Sequence, residues 1–281
     1  MANREQLIAI FEDTEAWYQK NPKLAEAVQK SIAGTVLYPA EVYPALPVAK
    51  DGVKTEIAVT KSRSFEAAVR LLRDNPGKKA AVHNFASATN PGGGVTRGSG
   101  AQEECLCRCS TLYPVLNTQK MWDGYYSFHR KRHDVRYTDA CIYSPDIVII
   151  KSDTPAPVRL PENAWRTVDV ITCAAPNLRP RPNNPMNPGQ DKAVQVSDAE
   201  LLELHRSRAR HMLTVAAAHG ADILVLGAFG CGAFRNKPEI VAQAYREILP
   251  EFDGIFHKIE FAVYCSSRDR GNYDAFCRAL G

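Results

Sequence analysis

Long apolar runs are missing from this chain of 281 residues. Residues 1–17, MANREQLIAIFEDTEAW, carry charges between their apolar positions, and no stretch approaches the length that spans a bilayer. The N-terminal sequence therefore does not have the pattern of a signal peptide. We expect a cytoplasmic protein without a membrane partner.

A strong excess of one charge is also missing, because 35 lysines and arginines stand against 31 acidic residues and the net charge is +4. This balance favours anionic partners only weakly, and a dedicated nucleic-acid-binding protein would be far more basic. We therefore expect no sequence-specific nucleic-acid binding. The class of substrate has to be inferred from local motifs.

The eight cysteines lack paired C-x-x-C spacing, and in a chain of this length they are typical of reduced thiols rather than of a disulfide framework. Cys105, Cys107 and Cys109 alternate on a predicted helix, and together with His129 and His133 they could be considered as zinc ligands. Buried thiols on an apolar helix explain the three cysteines better. We expect neither a metal nor a cofactor.

The residues that are present predict an α/β protein, since 45% are hydrophobic and apolar runs alternate with amphipathic segments. Residues 4–19 and 22–32 predict two helices, and we expect residues 1–50 to form a helical extension packed on the core. A helix is also predicted from Phe65, capped by Ser64. Predicted strands, mostly continuous apolar runs typical of a sheet covered on both faces, lie at 57–59, 78–86, 140–144, 146–151, 167–175, 222–228 and 258–265.

A long surface loop is predicted at 176–197, because its prolines and asparagines cannot sustain a helix or an inner strand. Ser197 and Glu200 then predict a capping box for a helix that ends at Gly220.

The segment NPGGGVTRGSGAQEE, residues 90–104, joins a predicted strand to a predicted helix over 101–116. Glu103 and Glu104 fall in the first helical turn and project about 100° apart. Acidic residues are favoured in first turns because they complement the helix dipole, so a structural explanation is available. The three glycines at 92–94, earlier in the same segment, favour a ligand site instead.

A second glycine-rich segment, GAFGCGAFRNKPE, follows the strand at 222–228. Asn236 is predicted to cap the next helix, with Glu239 at its third position, so the segment ends at a helix N-terminus that attracts anions. Ordinary tight turns are the alternative. Neither glycine segment has dinucleotide-fold or Walker-type spacing, but together the two segments could hold one diphosphate.

The segment has a recognisable pattern, in which three glycines are followed by seven residues and then by QEE. This pattern resembles the motif of the poly(ADP-ribose) glycohydrolases, in particular their bacterial-type branch. HNFASATNPGGG, CRCSTLYPVL and GAFGCGAFRN resemble the same branch, so the resemblance covers most of the chain. It implies a three-layer α/β/α macrodomain-like fold with a central mixed sheet, and a catalytic domain over residues 51–281 that follows the N-terminal helical extension.

The resemblance also implies roles for single residues. Glu104 corresponds to the catalytic acid, Glu103 to the residue that orients ribose hydroxyls, and Gln102 to a support of this pair. Asn90 would bond the distal ribose, and Phe234 would pack against it, with Phe229 as the alternative. The glycine segments would pass beneath the ribose and the diphosphate through Gly92, Gly93, Gly94, Gly230, Cys231 and Gly232. Adenine contacts are not assigned, although Phe85, Tyr113 and Phe229 offer aromatic faces.

The activity implied is hydrolysis of ribose–ribose O-glycosidic bonds, with Glu104 as acid and then as base, and ADP-ribose or poly(ADP-ribose) on modified proteins as partner. The helical extension would restrict attack to chain ends. A mono-ADP-ribosyl-protein hydrolase and a non-catalytic ADP-ribose reader are the alternatives. Two basic clusters, HRKRHDVR at 129–136 and HRSRARH at 205–211, are predicted to be solvated faces, although either would attract a polyanion.

Overall fold

The computed structural model describes residues 2–49, 52, 54–184, 192–267 and 269–281. Within these ranges the strands are β1 Val36–Tyr38, β2 Glu56–Thr60, β3 Ala80–Phe85, β4 Cys141–Ile149, β5 Arg166–Cys173, β6 Ile223–Leu226 and β7 Lys258–Ala262. The helices are α1 Arg4–Lys20, α2 Pro22–Gly34, α3 Ser64–Asp74, α4 Gln102–Cys109, α5 Leu112–Leu116, α6 Gln119–Met121, a π-helix Trp122–Tyr126, α7 Ser127–Arg132, α8 Asp198–Ala218, α9 Pro238–Ile248 and α10 Gly271–Leu280. None of the helices described is both long and apolar enough to cross a bilayer.

In the described ranges seven strands form one mixed sheet in the order β1-β4-β5-β3-β6-β7-β2. Strands β5, β3, β6, β7 and β2 run parallel, whereas β4 is antiparallel to both of its neighbours. The parallel strands β3, β6 and β7 therefore end at the same edge of the sheet. The segments that leave this edge include both glycine-rich motifs.

Helices cover both faces of the sheet, because the side chains of each strand alternate between two cores. Leu224 and Leu226 pack in the core that α8, α9 and α10 share with one face, whereas Ile223 and Val225 pack in the core beneath α3, α4 and α5. Burying large aliphatic side chains stabilises such a domain by about 1.5–3 kcal/mol each. The predicted three-layer α/β/α fold with a mixed central sheet is confirmed.

The two N-terminal helices pack near the end of β4 and against α4. The Thr14 hydroxyl donates to the Arg108 carbonyl at 2.7 Å, and the Lys151 ammonium group donates to the Ile10 carbonyl at 2.6 Å. Ring contacts join Trp17 to Trp165 across a small separate core. The range predicted as the helical extension also supplies β1 to the sheet, and its boundary as a separate unit remains a prediction.

Several local predictions are corrected. The helix predicted over 101–116 is broken at Ser110, which is extended and bridges to Ile149. The two strands predicted at 140–144 and 146–151 form the single strand β4, with a bulge between Ser144 and Ile147 where Asp146 has a φ of 55°. Arg63 rather than Ser64 is the N-cap of α3.

The predicted cap of α8 agrees with the structure, and the predicted loop before it lies partly within the described residues. Ser197 accepts a hydrogen bond from the Glu200 N–H as predicted for the cap. Part of the loop predicted at 176–197 lies outside the described residues, and residues 177–184 and 192–197 form no helix.

Candidate active site

The first glycine segment is a tight loop between β3 and α4. Gly92 and Gly93 have φ values of 66° and 58°, which L side chains rarely adopt. The Gly93 N–H donates to the Asn90 carbonyl at 3.0 Å, and the Asn90 side-chain amide donates back to the Gly93 carbonyl. Asn90 therefore closes this loop, and its predicted hydrogen bond to a ribose stays a prediction.

Glycine is required at position 93 because the catalytic candidates lie directly against it. A Cβ atom there would lie 2.6 Å from Glu104 Oε1 and 3.0 Å from Glu103 Oε2. At position 92 a Cβ atom would lie 2.8 Å from a ring carbon of Tyr113. The glycines thus bring bare backbone against the carboxylate pair.

Glu104 is held by one oxygen only. Its Oε1 accepts the Gly94 N–H at 2.9 Å, while its buried Oε2 has no hydrogen-bond partner in the described part of the chain. The side chain sits in the first turn of α4 and is 7% exposed. A buried carboxyl oxygen without a partner is costly unless a ligand completes its hydrogen bonding, so Oε2 is the oxygen available to a ligand.

Glu103 is engaged through both oxygens. Oε2 accepts the Ser87 N–H at 2.7 Å, and Oε1 accepts the Asn84 side-chain amide at 3.3 Å. Burial, followed by the charge of Glu104, raises the pKa of Glu103 well above its usual value, and the donated hydrogen bonds only partly oppose this. Glu103 is therefore a fixed group beside Glu104.

Gln102 ties the start of α4 to its surroundings and does not bond to either glutamate directly. Its Oε1 accepts the Phe85 N–H at 2.9 Å, and its Nε2 donates to the His83 carbonyl at 2.8 Å and to the Ser64 hydroxyl at 3.0 Å. These bonds join α4 to the end of β3 and to the start of α3. Gln102 thus supports the pair by fixing the helix that carries it.

The second glycine segment is organised by Asn236, which is 2% exposed. The Asn236 amide donates to the carbonyls of Pro176 at 2.8 Å and Gly230 at 3.1 Å, and its Oδ1 is 2.8 Å from His205 Nε2. The prediction that Asn236 caps α9 is wrong, because Lys237 is the N-cap and Pro238 begins the helix.

The tip of this segment presents bare backbone. Nothing lies within 4 Å of a Cβ atom placed at Gly232, whereas one at Gly230, where φ is 74°, would lie 2.5 Å from the Ala175 Cβ. Among the described residues, the N–H groups of Gly232, Ala233 and Phe234 have no acceptor. Successive free N–H groups of this kind form anion-binding concavities. Cys231 lies between the glycines, and burial raises the pKa of its thiol.

The two candidate phenylalanines have different environments. Phe234 is at the surface of a cavity, where the Arg179 guanidinium lies 5.6 Å from its ring centroid. Phe229 is buried and packs against His83 and His205, with ring centroids 4.4 Å and 5.6 Å away. Phe229 therefore belongs to the core, which removes it as the alternative to Phe234 and as an aromatic face for adenine.

The cavity has a volume of about 460 Å³ and lies at the edge where β3, β6 and β7 end. It is lined by Gly100 and Gln102 of the first glycine segment and by Gly230, Gly232 and Phe234 of the second, whereas Glu103, Glu104 and the glycines at 92–94 are not among its lining residues. Further lining residues that the sequence analysis did not find are Arg63, Ser64, Asp153 and Tyr264. Arg63 stacks on Tyr264 at 4.2 Å and lies 3.7 Å from Asp153, contacts that join residues distant in sequence.

The candidate zinc ligands and the basic cluster at 205–211 are mostly buried in the protein core. Cys107 and Cys109 are buried in the core of α4, and the described residues contain no group of three or more His, Cys, Asp or Glu side chains able to hold a metal ion. The cluster at 205–211 is not a solvated face, since His205, Arg208 and His211 are buried. Arg208 instead donates to three backbone carbonyls.

The fold is macrodomain-like. Glu104, a buried carboxyl group with one unpaired oxygen, lies against the first glycine segment, and the second glycine segment presents bare backbone at the cavity beside Gln102. A carboxyl group near an anion-binding loop is the arrangement expected of a glycosidase that acts on a diphosphate-containing substrate. A family model described as "Microbial-type PARG, catalytic domain" matches residues 5–152. No curated protein sequence matches the chain.

Solved structures of poly(ADP-ribose) glycohydrolases (PARG) are similar along nearly the whole chain. The enzyme from Thermomonospora curvata is 33% identical with a TM-score of 0.85, over 99% of this chain and 100% of that one. Its complex with the inhibitor ADP-HPD gives a TM-score of 0.81 at 33% identity, over 98% and 99%. The Deinococcus radiodurans enzyme in complex with ADP-ribose is 37% identical with a TM-score of 0.71, over 90% and 96%. The chain belongs to the microbial-type PARG family.

Proposed function

We propose that this protein, a poly(ADP-ribose) glycohydrolase, hydrolyses the ribose–ribose bonds of poly(ADP-ribose) with Glu104 as the sole acid and base. The observation that carries the proposal is the environment of Glu104, where Oε1 is fixed by the Gly94 N–H and the buried Oε2 has no partner in the described residues. Glu103 is already bonded through both oxygens. One carboxyl group is thus free to transfer a proton.

The reaction follows from this geometry. Glu104 Oε2 donates its proton to the oxygen that leaves the distal ribose, and the bond from that oxygen to the anomeric carbon breaks with its electron pair going to the oxygen. The anomeric carbon becomes oxocarbenium-like. Water then adds to that carbon and returns a proton to Glu104. Glu103 orients the ribose hydroxyls beside it, which contributes through positioning.

The diphosphate is expected between the two glycine segments. The N–H groups of Gly232, Ala233 and Phe234 suit its oxygens because they are free of backbone acceptors in the described structure. Gly92 and Gly93 allow the backbone to approach the distal ribose closely. The cavity beside Phe85 and Phe234 then accommodates the rest of an ADP-ribose unit. These contacts support ADP-ribose as the part of the substrate that the cleft binds.

Attack from chain ends is supported by the position of α1. A Cβ atom at Gly98, within the first glycine segment, would clash with the Arg4 carbonyl oxygen. The first helix is thus in direct backbone contact with the loop that carries the glycines. This contact obstructs one side of the loop, where a polymer bound through an internal unit would need to continue.

The test is release of ADP-ribose from a poly(ADP-ribosyl)ated protein by wild type, Glu104→Gln and Glu239→Gln, with chain lengths resolved. Glu239 is the matched control because it is also in the first turn of a helix. We expect Glu104→Gln to lose about 10³-fold in turnover while its affinity for ADP-ribose is retained, and Glu239→Gln to match wild type.

The alternatives give different products. Near-normal turnover by Glu104→Gln would contradict the acid/base role. Wild type that leaves polymer intact but removes single units would be a mono-ADP-ribosyl hydrolase, and wild type inactive on both substrates would be a reader. Release of internal oligomers early in the reaction would contradict attack from chain ends.

A further inference from the structure

Arg130 lies beside the first glycine segment, on the basic cluster at 129–136. Its Nε donates to the Thr89 carbonyl at 2.7 Å, and Thr89 immediately precedes Asn90. The guanidinium group lies over the ring of Trp122, 4.6 Å from its centroid. The Trp122 Nε1 donates to Asn117 Oδ1 at 2.8 Å, which fixes the plane of the indole. Arg130 is therefore held in place at the border of the proposed site.

No carboxylate within the described ranges pairs with this arginine. Burial alone lowers the pKa of Arg130, without an acidic neighbour to oppose it. Two other partly exposed arginines do have carboxylate partners, Arg136 with Asp134 at 3.0 Å and Arg206 with Glu247 at 3.1 Å. A partly desolvated cation without a counter-charge is favourable for an anionic ligand. Arg130 thus differs from Arg136 of the same cluster, whose guanidinium group is paired with Asp134.

The element that carries Trp122 is the π-helix Trp122–Tyr126, a geometry that is frequent at functional sites. Trp122 packs on Tyr126 with ring centroids 5.4 Å apart. Burial is the main cause of the raised pKa of Tyr126, and the charge of Glu103 raises that pKa further. The π-helix thus carries both Trp122, the ring under Arg130, and the buried Tyr126.

We propose that Arg130, stacked on Trp122, binds the diphosphate of the polymer unit that leaves, and so favours polymer over substrates with a small leaving group. The proposal rests on the proposed function, since it needs a ribose–ribose bond at Glu104. The leaving unit is attached at the distal ribose, next to Asn90 in our assignment, and Arg130 hydrogen-bonds to Thr89, the residue before Asn90. Lys131 and Arg132 are exposed on the same helix and add positive charge for the chain that continues.

A purely structural account is that Arg130 braces the Thr89 carbonyl and has no ligand. The two accounts differ in what the loss of Arg130 does to substrates of different size. If Arg130 only holds the Thr89 carbonyl in place, its loss moves the glycine loop. Turnover of every substrate and the affinity for ADP-ribose itself would then fall. A subsite for the leaving unit affects polymer alone.

The experiment compares wild type, Arg130→Gln and the control Arg206→Gln on two substrates. One is poly(ADP-ribose), and the other is ADP-ribose that carries p-nitrophenol on the anomeric carbon of its distal ribose. For Arg130→Gln we expect kcat/KM on polymer to fall about tenfold and the slope of its logarithm against log salt to become shallower by about 0.7, as for one lost contact to a polyanion. We expect kcat/KM on the p-nitrophenyl substrate and the Kd of ADP-ribose to stay within twofold.

An equal fall in kcat/KM on both substrates, or a higher Kd for ADP-ribose, would overturn the proposal and show that Arg130 only holds the Thr89 carbonyl in place. Unchanged polymer kinetics would also overturn it. Arg130→Lys, which keeps the charge, serves if Arg130→Gln does not fold, and the proposal requires it to retain most of the polymer preference and the salt slope. Failure of the proposed function is separate, because wild type itself would then leave polymer uncleaved.

Discussion

Replacing Gly93 by alanine tests whether the glycine serves the carboxylate pair or only the turn. The new Cβ atom would lie 2.6 Å from Glu104 Oε1, so the carboxylate would have to move by about 0.8 Å to restore an ordinary contact of 3.4 Å. That movement breaks the bond from the Gly94 N–H to Oε1. A misplacement near 1 Å costs on the order of 10²-fold in rate. We therefore expect Gly93→Ala to release ADP-ribose from polymer about 100-fold more slowly.

The control for backbone strain is Gly77→Ala. Gly77 has a φ of 80° and Gly93 one of 58°, but nothing lies within 4 Å of a Cβ atom at Gly77. Both variants should lose about 1–2 kcal/mol of unfolding free energy from the left-handed conformation, measured by denaturant titration. Only Gly93→Ala should lose activity. Initial rates for Gly93→Ala within threefold of those for Gly77→Ala would refute the reasoning.

Two further predictions concern the surroundings of the site. Asn236→Ala should lower the unfolding free energy by about 2–3 kcal/mol, because its hydrogen bonds to buried carbonyls are lost, and should weaken ADP-ribose binding in calorimetry; a loss below about 0.5 kcal/mol would contradict the role given to Asn236. Burial lowers the pKa of His83 to about 3, below the unfolded value of about 6.5. The neutral ring of His83 therefore contributes to the free energy of unfolding above pH 6.5, and this contribution is lost as the pH falls towards 3. The variant His83→Phe keeps an aromatic ring that cannot be protonated, so its free energy of unfolding should fall less than that of wild type over this pH range. Parallel stability–pH curves for wild type and His83→Phe would show that His83 does not contribute.

Features that depend on residues close together in the chain, such as strands and short motifs, can be predicted from the sequence. Continuous apolar runs locate β3, β6 and β7, since each strand is covered on both faces, and the glycines before Glu103 and Glu104 locate the site. Contacts between distant segments are not predictable in the same way. Asn236 has the local pattern of a helix cap, but its amide bonds to the Pro176 carbonyl, 60 residues away.

The same limit applies to β4 and to the site's finer geometry. A proline and a left-handed residue at Asp146 divide β4 into two apparent strands, because the bulge is set by pairing with β5. The motif identifies Glu104 but not which of its oxygens is free, since that depends on how the loop folds back onto the helix. The pairing of Arg130 with Thr89 depends likewise on how α7 packs against the loop.

The packing of α1 has a consequence for how the protein is made. Ile10 contacts Lys151, which lies 141 residues further along the chain. At a synthesis rate of about 5–20 residues per second, α1 waits on the order of 7–28 s before its partner leaves the ribosome. During that time the apolar face that includes Phe11 and Tyr18 is uncovered on the nascent chain. The helices made first thus wait for a partner made much later, and during that interval they are accessible to chaperones and proteases.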